Sequence, residues 1–441
     1  MLEAPVLPVL AQLAWPNVLI MLAQASSGLI ETWWIAKLGT DALAGMALVF
    51  PAVMLMTTIS AGALGGGISS AVARTLGAGR RDDADALVLH AVVINLVLGL
   101  TFSAVFLLFG RSIYGLLGGS GGELEAALVY SNTVFTGNVF LWLMNGLASV
   151  IRGTGNMIFP AAVICVGVEL LIPISPLLIF GFGPIPAFGV AGGGIALVIY
   201  YAAGTAALAW HVLSGRNAVS WRMGRLRVAQ LASILRVGAL SALQSIQTNF
   251  IIAGATALVA AHAGVQAVAG FGTGVRLEYL LIPLIFGIGA PMVAMVGTNI
   301  GAGDRARALH IAMAGACMAF VVTETIGAAA ALSPEAWLRL FSADAAMIEA
   351  GSAYLRIVGP FYGFFGLGLA LYFASQGAGQ LLWPLIAGLV RLVVALGVGW
   401  LALRLTGSLS AFFAVLSLAL VLYGATVFWA VRRGAWLEGK V

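Results

Sequence analysis

The sequence predicts an all-α membrane protein with twelve transmembrane helices in two six-helix lobes that are related by a parallel repeat. Three observations predict this fold class. Of the 441 residues, 61% are apolar and 8% are charged. The apolar runs are about 20 to 30 residues long, which is enough for a helix to span a bilayer and too long for barrel strands. Finally, two loop motifs recur at one common offset.

The apolar runs predict the spans one after another along the chain. We predict helices over residues 9–36, 42–72, 86–109, 124–151, 157–180, 188–212, 231–261, 266–297, 306–332, 344–374, 381–404 and 409–431. The first run has no basic segment before it and is too long for a signal-peptide core, so we expect it to be a retained helix. Cys165 and Cys317 fall inside spans, and we expect neither a disulfide nor a metal site.

The basic residues predict the orientation of the spans. If the N-terminus is cytoplasmic, the inner loops and the tail collect Arg74, Arg80, Arg81, Arg152, Arg216, Arg222, Arg225, Arg227, Arg236, Arg305, Arg307, Arg432, Arg433 and Lys440. The outer side keeps Lys37, Arg111, Arg339 and Arg404, so we expect both termini in the cytoplasm. The formal charge of +5 follows from this topology, and no basic surface with stacking aromatics indicates nucleic-acid binding.

Two pairs of loop motifs indicate an internal duplication. The segment "RTLGAGRRDDADA" (74–86) matches "TNIGAGDRARALH" (298–310), and "IRGTGNMIFP" (151–160) matches "SQGAGQLLWP" (375–384), with the same offset between the two members of each pair. Six spans per repeat is an even number, so the halves enter the membrane with the same polarity and form parallel repeats. We predict an N-terminal lobe at 1–213, a cytoplasmic linker at 214–230 and a C-terminal lobe at 231–441.

Two acids lie inside apolar spans of the N-terminal half. A charge at the bilayer centre costs roughly 2.5 to 3.5 kcal/mol, and Glu31 and Glu169 have no basic residue at comparable depth. Desolvation disfavours the ionised form, so each acid is a candidate for binding a proton, Na⁺ or a cationic compound. Two alternatives stay open: Glu31 lies about 9 Å along the helix from Lys37 and could be solvated, and Glu169 could form a structural hydrogen bond.

The C-terminal half carries both signs of charge at membrane depth. Arg276, Glu278, Glu324, Arg356 and Arg391 lie in its spans, and mutual pairing is the simpler explanation, with Glu278 also a candidate for a substrate cavity. Gln24, Asn138 and Asn145 could line such a cavity or join helices by hydrogen bonds. Trp34 could stack on a cationic compound or anchor the helix at the membrane interface.

The chain lacks the local motifs of common enzymes. It contains no "HExxH", no "GxxxxGK" followed by Ser or Thr, and no compact cluster of His or Cys at metal-ligand spacing. We therefore predict that the protein is not an enzyme, that it uses no cofactor, and that an ion gradient supplies its energy.

Several of these segments together resemble one family. "ETWWIAKLGTDALAG", the two "GAG" loops, "RGTG" and "QGAG", and "LLIFGFGPIPAFGVAGGGIA" are similar to motifs of the multidrug and toxic compound extrusion family, in order and in duplication. That family lies within a superfamily that includes polysaccharide and lipid flippases. The resemblance implies twelve helices in two lobes and the export of amphipathic, often cationic compounds in exchange for Na⁺ or H⁺.

The chain also departs from the family pattern at the cation-binding positions. Glu31 stands where the family commonly has Asp, and Leu171 and Ser175 stand where many members have an Asn and an Asp in the fifth helix. An acid found in the seventh helix of some members falls near Gln247 and Thr248. The resemblance thus leaves the coupling ion open between H⁺ and Na⁺, and it marks Ser175 as a candidate cavity residue.

These observations predict an antiporter of the bacterial inner membrane that exports amphipathic, cationic organic compounds. Glu31 would hold the coupling cation, with Glu169 assisting, and we expect a monomer with small-molecule substrates. The alternative within transport is a flippase of a lipid-linked oligosaccharide, which would need a broad cationic cavity for its pyrophosphate. A non-transporting membrane enzyme or scaffold would show no substrate-induced ion flux.

Overall fold

The computed structural model describes residues 2–222 and 224–434, apart from the side chains of residues 25 and 27. This part of the chain is helical almost throughout, and its one isolated β-bridge joins Phe182 and Ile185. The helices are α1 (Val6–Ala36), α2 (Thr40–Thr57), α3 (Gly65–Gly77), α4 (Arg81–Leu116), α5 (Gly121–Thr136), α6 (Asn138–Gly153), α7 (Ile158–Phe180), α8 (Val190–Leu213), α9 (Val228–Gly301), α10 (Arg305–Leu332), α11 (Pro334–Leu338), α12 (Ala345–Val358), α13 (Tyr362–Ala378), α14 (Leu382–Leu392), α15 (Gly399–Thr406) and α16 (Leu409–Arg432).

Several predicted spans are composed of two helices. A π-helical segment, Thr58–Leu64, joins α2 to α3, and another, Val393–Val398, joins α14 to α15. A 3-10 turn, Gly359–Phe361, joins α12 to α13. Helices α5 and α6 meet at a bend of 48°. Hydrophobic periodicity does not detect these breaks, because the apolar run continues through each of them.

The long helix α9 contains two membrane spans. Gly264 interrupts it with a φ of 75°, a left-handed conformation that favours glycine. Within the described residues, ten helices are long and apolar enough to cross a membrane, and the bent pair α5 and α6 gives an eleventh. Division of α9 at Gly264 brings the number of spans to twelve.

Polar side chains fix several helix starts. Ser120 and Glu123 form a capping box at the start of α5, where the Ser120 amide donates to Glu123 Oε1 at 3.1 Å. Asp304 accepts a hydrogen bond from the Arg307 amide at 2.9 Å at the start of α10. These residues satisfy amides that would otherwise lack partners where the chain turns into a helix.

The chain divides into two compact units. We call Trp15–Gly238 the N-unit, and Met1–Ala14 together with Ala239–Val441 the C-unit. Large buried aromatic side chains fill each of them, including Trp142 and Phe135 in the N-unit and Tyr354 and Phe412 in the C-unit. The lobe boundaries at 213 and 231 stay a prediction.

Equivalent glycines pack in the same way in the two units. A Cβ on Gly153 would lie 2.8 Å from the backbone oxygen of Ser69, and a Cβ on Gly377 would lie 2.6 Å from that of Val293. Ser69 and Val293 are separated by the same offset as the two glycines, which is the offset of the duplicated motifs. These motifs therefore mark a duplicated close approach of two helices.

The segment that connects the units folds onto the start of α4. The Ser220 amide donates to Asp85 Oδ1 at 2.8 Å, and Arg227 forms an ion pair with Asp83 at 2.6 Å. Val219 is fully buried in this segment. The acids Asp82 and Asp83 lie in the first turn of α4, where the helix dipole favours negative charge.

Candidate functional site

Glu31 lies near the end of α1 and is 6% exposed. Its carboxylate oxygen Oε1 accepts a hydrogen bond from the hydroxyl of Tyr130, on α5, at 3.2 Å. In the part of the chain that the structure describes, no lysine, arginine or histidine forms an ion pair with Glu31. The alternative that Glu31 is solvated beside Lys37 therefore does not fit its burial.

Small residues of α8 provide the space around this acid. A Cβ on Gly193 would lie 3.2 Å from Glu31 Oε1, and one on Gly194 would lie 3.0 Å from the Cβ of Thr133 on α5. Both distances are closer than ordinary packing, so the glycine run lets α8 approach α5 while the carboxylate keeps its position. The local sequence "AGGGIA" thus contributes directly to the site.

Such an isolated acid can exchange a single proton. A buried carboxyl group is stable when neutral, and the hydroxyl of Tyr130 supplies one hydrogen bond in either protonation state. Among the described residues, no group of three or more His, Cys, Asp or Glu side chains could hold a metal ion. Glu31 is accordingly a buried acid with one polar neighbour, the Tyr130 hydroxyl, among the described residues.

The two tryptophans beside Glu31 contact a lysine. The ammonium of Lys37 lies 3.5 Å from the ring centroid of Trp33 and 4.6 Å from that of Trp34. Trp34 also packs edge-on against Phe180, and its indole N–H has no acceptor among the described residues. A cation already occupies these aromatic faces, as expected for residues at a helix end.

Glu169 and Glu31, both described by the structure, are not joined by a hydrogen bond. Glu169 lies on α7 with an exposed side chain, whereas Ser175, farther along the same helix, is 2% exposed and its hydroxyl has no partner among the described residues. The proposed assistance of Glu169 therefore stays a prediction.

The polar amides of the N-unit join helices. Asn138 Nδ2 donates to the carbonyl of Gly99 on α4 at 3.0 Å, and Asn145 Nδ2 donates to Ser60 Oγ in the π-helical segment at 2.8 Å. Gln24 lies on α1 and is half-buried. The two asparagines therefore stabilise contacts of α6 with its neighbours.

The C-unit contains a second buried glutamate with different partners. Glu278, on α9, is 7% exposed; its Oε1 accepts from Arg391 Nη2 at 2.7 Å and its Oε2 accepts from the Tyr354 hydroxyl at 3.2 Å. The Arg391 guanidinium also lies 5.0 Å from the ring centroid of Phe365. This is a buried ion pair with a hydrogen bond on each carboxylate oxygen.

A small cavity adjoins this ion pair. Its volume is about 30 Å³, and Glu278, Tyr354, Arg391, Phe271 and apolar residues of α9 and α16 line it. A site needs roughly 10 to 15 Å³ to hold one water molecule, so the cavity has room for water and not for an organic compound. Glu278 therefore faces a cavity with room for water, and its place in a substrate cavity stays a prediction.

The other charged residues of the C-terminal spans are not part of this pair. Glu324 accepts a hydrogen bond from the Gly363 amide at 2.7 Å, and the Arg276 guanidinium lies 5.7 Å from the ring centroid of Phe341. Arg356 is exposed. Within the described residues, pairing inside the membrane thus involves Glu278 and Arg391.

Sequence reasoning missed the two tyrosines of these sites. Tyr130 and Tyr354 are separated by the offset that relates Gly153 to Gly377, so they occupy equivalent positions of the repeat. Each donates a hydrogen bond to a buried glutamate, although the N-unit glutamate lies on the first helix of its half and the C-unit glutamate on the second of its own. Aligning the halves residue by residue shows that the two tyrosines are equivalent, and the structure is needed to show that each contacts a glutamate.

Comparison with known proteins identifies one family of relatives. A family model described as MatE matches the chain twice, over residues 16–177 and 241–401, once in each half. A protein of Shewanella oneidensis named FAD transporter is 27% identical over 399 residues, covering 89% of this chain and 87% of its own. A probable multidrug resistance protein, NorM, of Thermotoga maritima is 25% identical over 395 residues, which cover 88% of this chain and 83% of that protein.

Solved structures share the fold. A transporter of the MOP superfamily from Pyrococcus furiosus is 23% identical with a TM-score of 0.88, covering 98% of this chain and 96% of that chain. A MATE transporter in a bent conformation is 23% identical with a TM-score of 0.89, and the match covers 98% of this chain and 96% of that chain. The predicted fold class, a membrane protein of twelve helices in two six-helix lobes, is confirmed.

Proposed function

Since the chain belongs to the MatE family of membrane transporters, we propose that it exports amphipathic organic compounds in exchange for protons, with Glu31 as the proton-carrying group. Members of this family are transporters, so the prediction that the protein is not an enzyme is confirmed. Small molecules are its substrates, and it is a multi-pass membrane protein.

The burial of Glu31 without a basic partner among the described residues is the observation that carries this proposal. A permanently ionised acid in that position would cost several kcal/mol, because no cation in this part of the chain compensates its charge. A group that alternates between a neutral, protonated form and an ionised form bound to a cationic compound avoids this cost. Glu31 is suited to such an exchange, since it is held in place by one neutral hydroxyl.

The small number of oxygen ligands favours H⁺ over Na⁺ as the coupling ion. A proton needs one carboxylate oxygen, whereas hard metal cations are typically coordinated by about six oxygens. The described surroundings of Glu31 supply its own carboxylate and the Tyr130 hydroxyl. The fifth-helix position of Ser175 adds no carboxylate to this set.

Competition for one carboxylate would couple the two movements. When Glu31 binds a proton, its affinity for a cationic compound falls, and by thermodynamic linkage the compound lowers the affinity for the proton by the same factor. Inward proton movement then drives the compound outward. This scheme needs no cofactor and a single copy of the chain, and we place both termini in the cytoplasm from the arginine distribution.

A second candidate cargo is a flavin dinucleotide, because the relative from Shewanella oneidensis is named FAD transporter. That cargo is aromatic and anionic, so it would not compete with a proton for Glu31 through its charge. A flippase of lipid-linked oligosaccharides is less favoured, since Arg391, a cation that could bind its pyrophosphate, is engaged by Glu278.

The test is transport in liposomes that contain the purified protein. Efflux of a fluorescent cationic dye is followed under an imposed pH gradient and then under an imposed Na⁺ gradient, with FAD efflux measured in parallel. We expect the pH gradient to drive dye efflux, and Glu31→Gln to lose it. Glu31→Asp keeps the acid and serves as the matched control, with most of the transport retained.

Other outcomes change the proposal in defined ways. Dye transport by Glu31→Gln at the wild-type rate would remove Glu31 from the coupling mechanism. A response to Na⁺ alone would replace the proton with the metal ion. Movement of FAD without movement of the dye would favour the flavin cargo, and its dependence on the pH gradient would decide whether protons drive it.

A further inference from the structure

A buried histidine joins the first part of α4 to the connecting segment, the stretch of chain between α8 and α9. His90 lies on α4 and is fully buried. Its Nδ1 lies 2.7 Å from the carbonyl oxygen of Ala86, one turn earlier, and its Nε2 accepts a hydrogen bond from the backbone amide of Arg227 at 2.8 Å. Both ring nitrogens therefore have a partner inside the protein.

These two partners fix the protonation state of the ring. A carbonyl oxygen only accepts hydrogen bonds, so Nδ1 must carry a hydrogen and donate it to Ala86. A backbone amide only donates, so Nε2 must carry no hydrogen if it accepts from Arg227. The contact is thus made by one neutral tautomer. A second proton on the imidazole would set Nε2–H against the Arg227 N–H, and two donors cannot form a hydrogen bond.

The amide that His90 binds lies where α9 begins. Arg227 directly precedes Val228, the first residue of α9, and its carbonyl oxygen accepts from the Leu231 amide at 3.1 Å, as an N-cap carbonyl does. The amide of an N-cap residue has no partner within its own helix, and here His90 supplies one. Loss of this bond would leave the amide at the entry to α9 without its acceptor.

The charged groups around this contact do not pair with the ring. On the elements next to this part of α4 and at its own start they are Arg74 on α3, Arg152 on α6, Arg216, Arg222, Arg225 and Arg227 in the connecting segment, and Arg80, Arg81, Asp82, Asp83 and Asp85. The three acids bind arginines or the Ser220 amide, and no described acid forms an ion pair with His90. An imidazolium would therefore gain no carboxylate partner in exchange for the lost hydrogen bond.

We propose that His90 is a pH-sensitive latch: the neutral ring holds the entry to α9 against α4, and a proton on Nε2 releases it. Release breaks this hydrogen bond and leaves the ion pairs between the connecting segment and α4 in place. One proton separates the two states, so the ratio of released to latched protein should rise about tenfold for each pH unit below the range in which free histidines gain their proton. The latch does not depend on the proton exchange proposed for Glu31, so its test needs no transport.

Hydrogen exchange of the Arg227 amide tests the latch in the full-length protein in a neutral detergent. Mass spectrometry with fragmentation resolves this amide from about pH 8 to about pH 5, and each rate is divided into that of an unstructured peptide at the same pH. We expect this protection to be constant in the upper part of the range and to fall at least about tenfold towards the lower end. Constant protection over the whole range would overturn the proposal.

Two substitutions of His90 should give opposite results, each independent of pH. His90→Gln keeps an acceptor oxygen near the position of Nε2 and cannot gain a proton, so the Arg227 amide should stay protected throughout. His90→Asn keeps a donor for Ala86, the kind of bond that Asn95 makes to Ala91 on the same helix at 2.7 Å, but it removes the acceptor for Arg227. We expect its Arg227 amide to be at least about tenfold less protected than in the wild type above neutral pH.

Either variant decides the question if the other does not fold. A fall in protection in His90→Gln equal to that of the wild type would assign the response to another group and overturn the proposal. Wild-type protection in His90→Asn above neutral pH would overturn it as well, because the ring would not be what holds the amide.

His211→Gln is the matched control, because His211 is the other buried histidine of the N-unit and its Nε2 has no partner among the described residues. We expect this variant to keep the pH response of the wild type. Loss of the response in His211→Gln, with the response retained in His90→Gln, would place the sensor at His211 and overturn the proposal.

Discussion

The N-unit and the C-unit each bury a glutamate that accepts a hydrogen bond from an equivalent tyrosine, but they compensate the acid differently. In the C-unit, Arg391 pairs with Glu278 at 2.7 Å, whereas in the N-unit the described residues leave Glu31 with the Tyr130 hydroxyl. Glu278 therefore has a counter-charge at hydrogen-bonding distance, while Glu31 has none among the described residues, and we propose that Glu31 gains and loses a proton. A paired acid stabilises structure, and an unpaired acid can do chemistry.

The largest expected effect separates these two roles in transport. Glu31→Gln should reduce proton-driven efflux more than tenfold, to the level of empty liposomes, because the amide cannot exchange a proton. The double variant Glu278→Gln, Arg391→Met removes the other buried acid together with its partner and should keep efflux within a few fold of the wild type. Loss of efflux in the double variant, with the folded protein intact, would show that the C-unit acid also takes part in transport.

The next effect concerns stability. Arg391→Met alone leaves Glu278 buried without a cation and should lower the free energy of unfolding by about 3 to 5 kcal/mol. The double variant Glu278→Gln, Arg391→Met should recover most of this loss, since no charge remains. Denaturant unfolding of the purified protein in detergent measures both variants, and equal losses in the single and double variants would contradict a charge-based explanation.

A smaller effect distinguishes the two tyrosines. Tyr354→Phe removes a hydrogen bond to a carboxyl group that is paired with Arg391 and should cost about 1.5 to 3 kcal/mol. Tyr130→Phe removes one to an acid that we propose to be protonated in the resting protein and should cost about 0.5 to 1.5 kcal/mol. The same unfolding measurement at neutral pH compares them. If Tyr130→Phe proves the more costly change, Glu31 is ionised in the resting protein and the proposed difference between the units fails.

The smallest effect lies at the surface of the N-unit. Arg222 forms an ion pair with Asp82, and both side chains are more than half exposed. Arg222→Ala should change the free energy of unfolding by less than about 1 kcal/mol, because solvent screens such pairs. A larger loss, persisting in high salt, would mean that Arg222 acts through its second ion pair, with the buried Asp85 at 3.7 Å, rather than through the exposed pair with Asp82.

The sequence was sufficient for the twelve spans, because each is a long apolar run and the duplicated motifs constrain their number. It also placed the break within α9, since the predicted spans 231–261 and 266–297 leave Gly264 between them. The π-helical segments were missed. They alter the hydrogen-bonding pattern without altering the apolar composition of the run.

The acid of the candidate site was predictable and its surroundings were not. Glu31 stands out as a charge among apolar residues, and Glu278 was expected to pair with a basic residue. Which arginine it pairs with depends on the contact of α9 with α14, across 113 residues of sequence. Tyr130 was missed because a tyrosine in a span carries no signal of its own until the fold brings it to an acid 99 residues away.

The close approach at Gly153 and Gly377 explains which parts of the duplication remain visible. Each glycine faces a backbone oxygen, a group that every residue carries, so the residue opposite was free to become Ser69 in one half and Val293 in the other. The glycine had no such freedom, because any side chain would collide with the neighbouring helix. The duplication is thus visible at positions where a side chain is forbidden, while the side chains differ at Ser69 and Val293, which meet the glycines through their backbone oxygens.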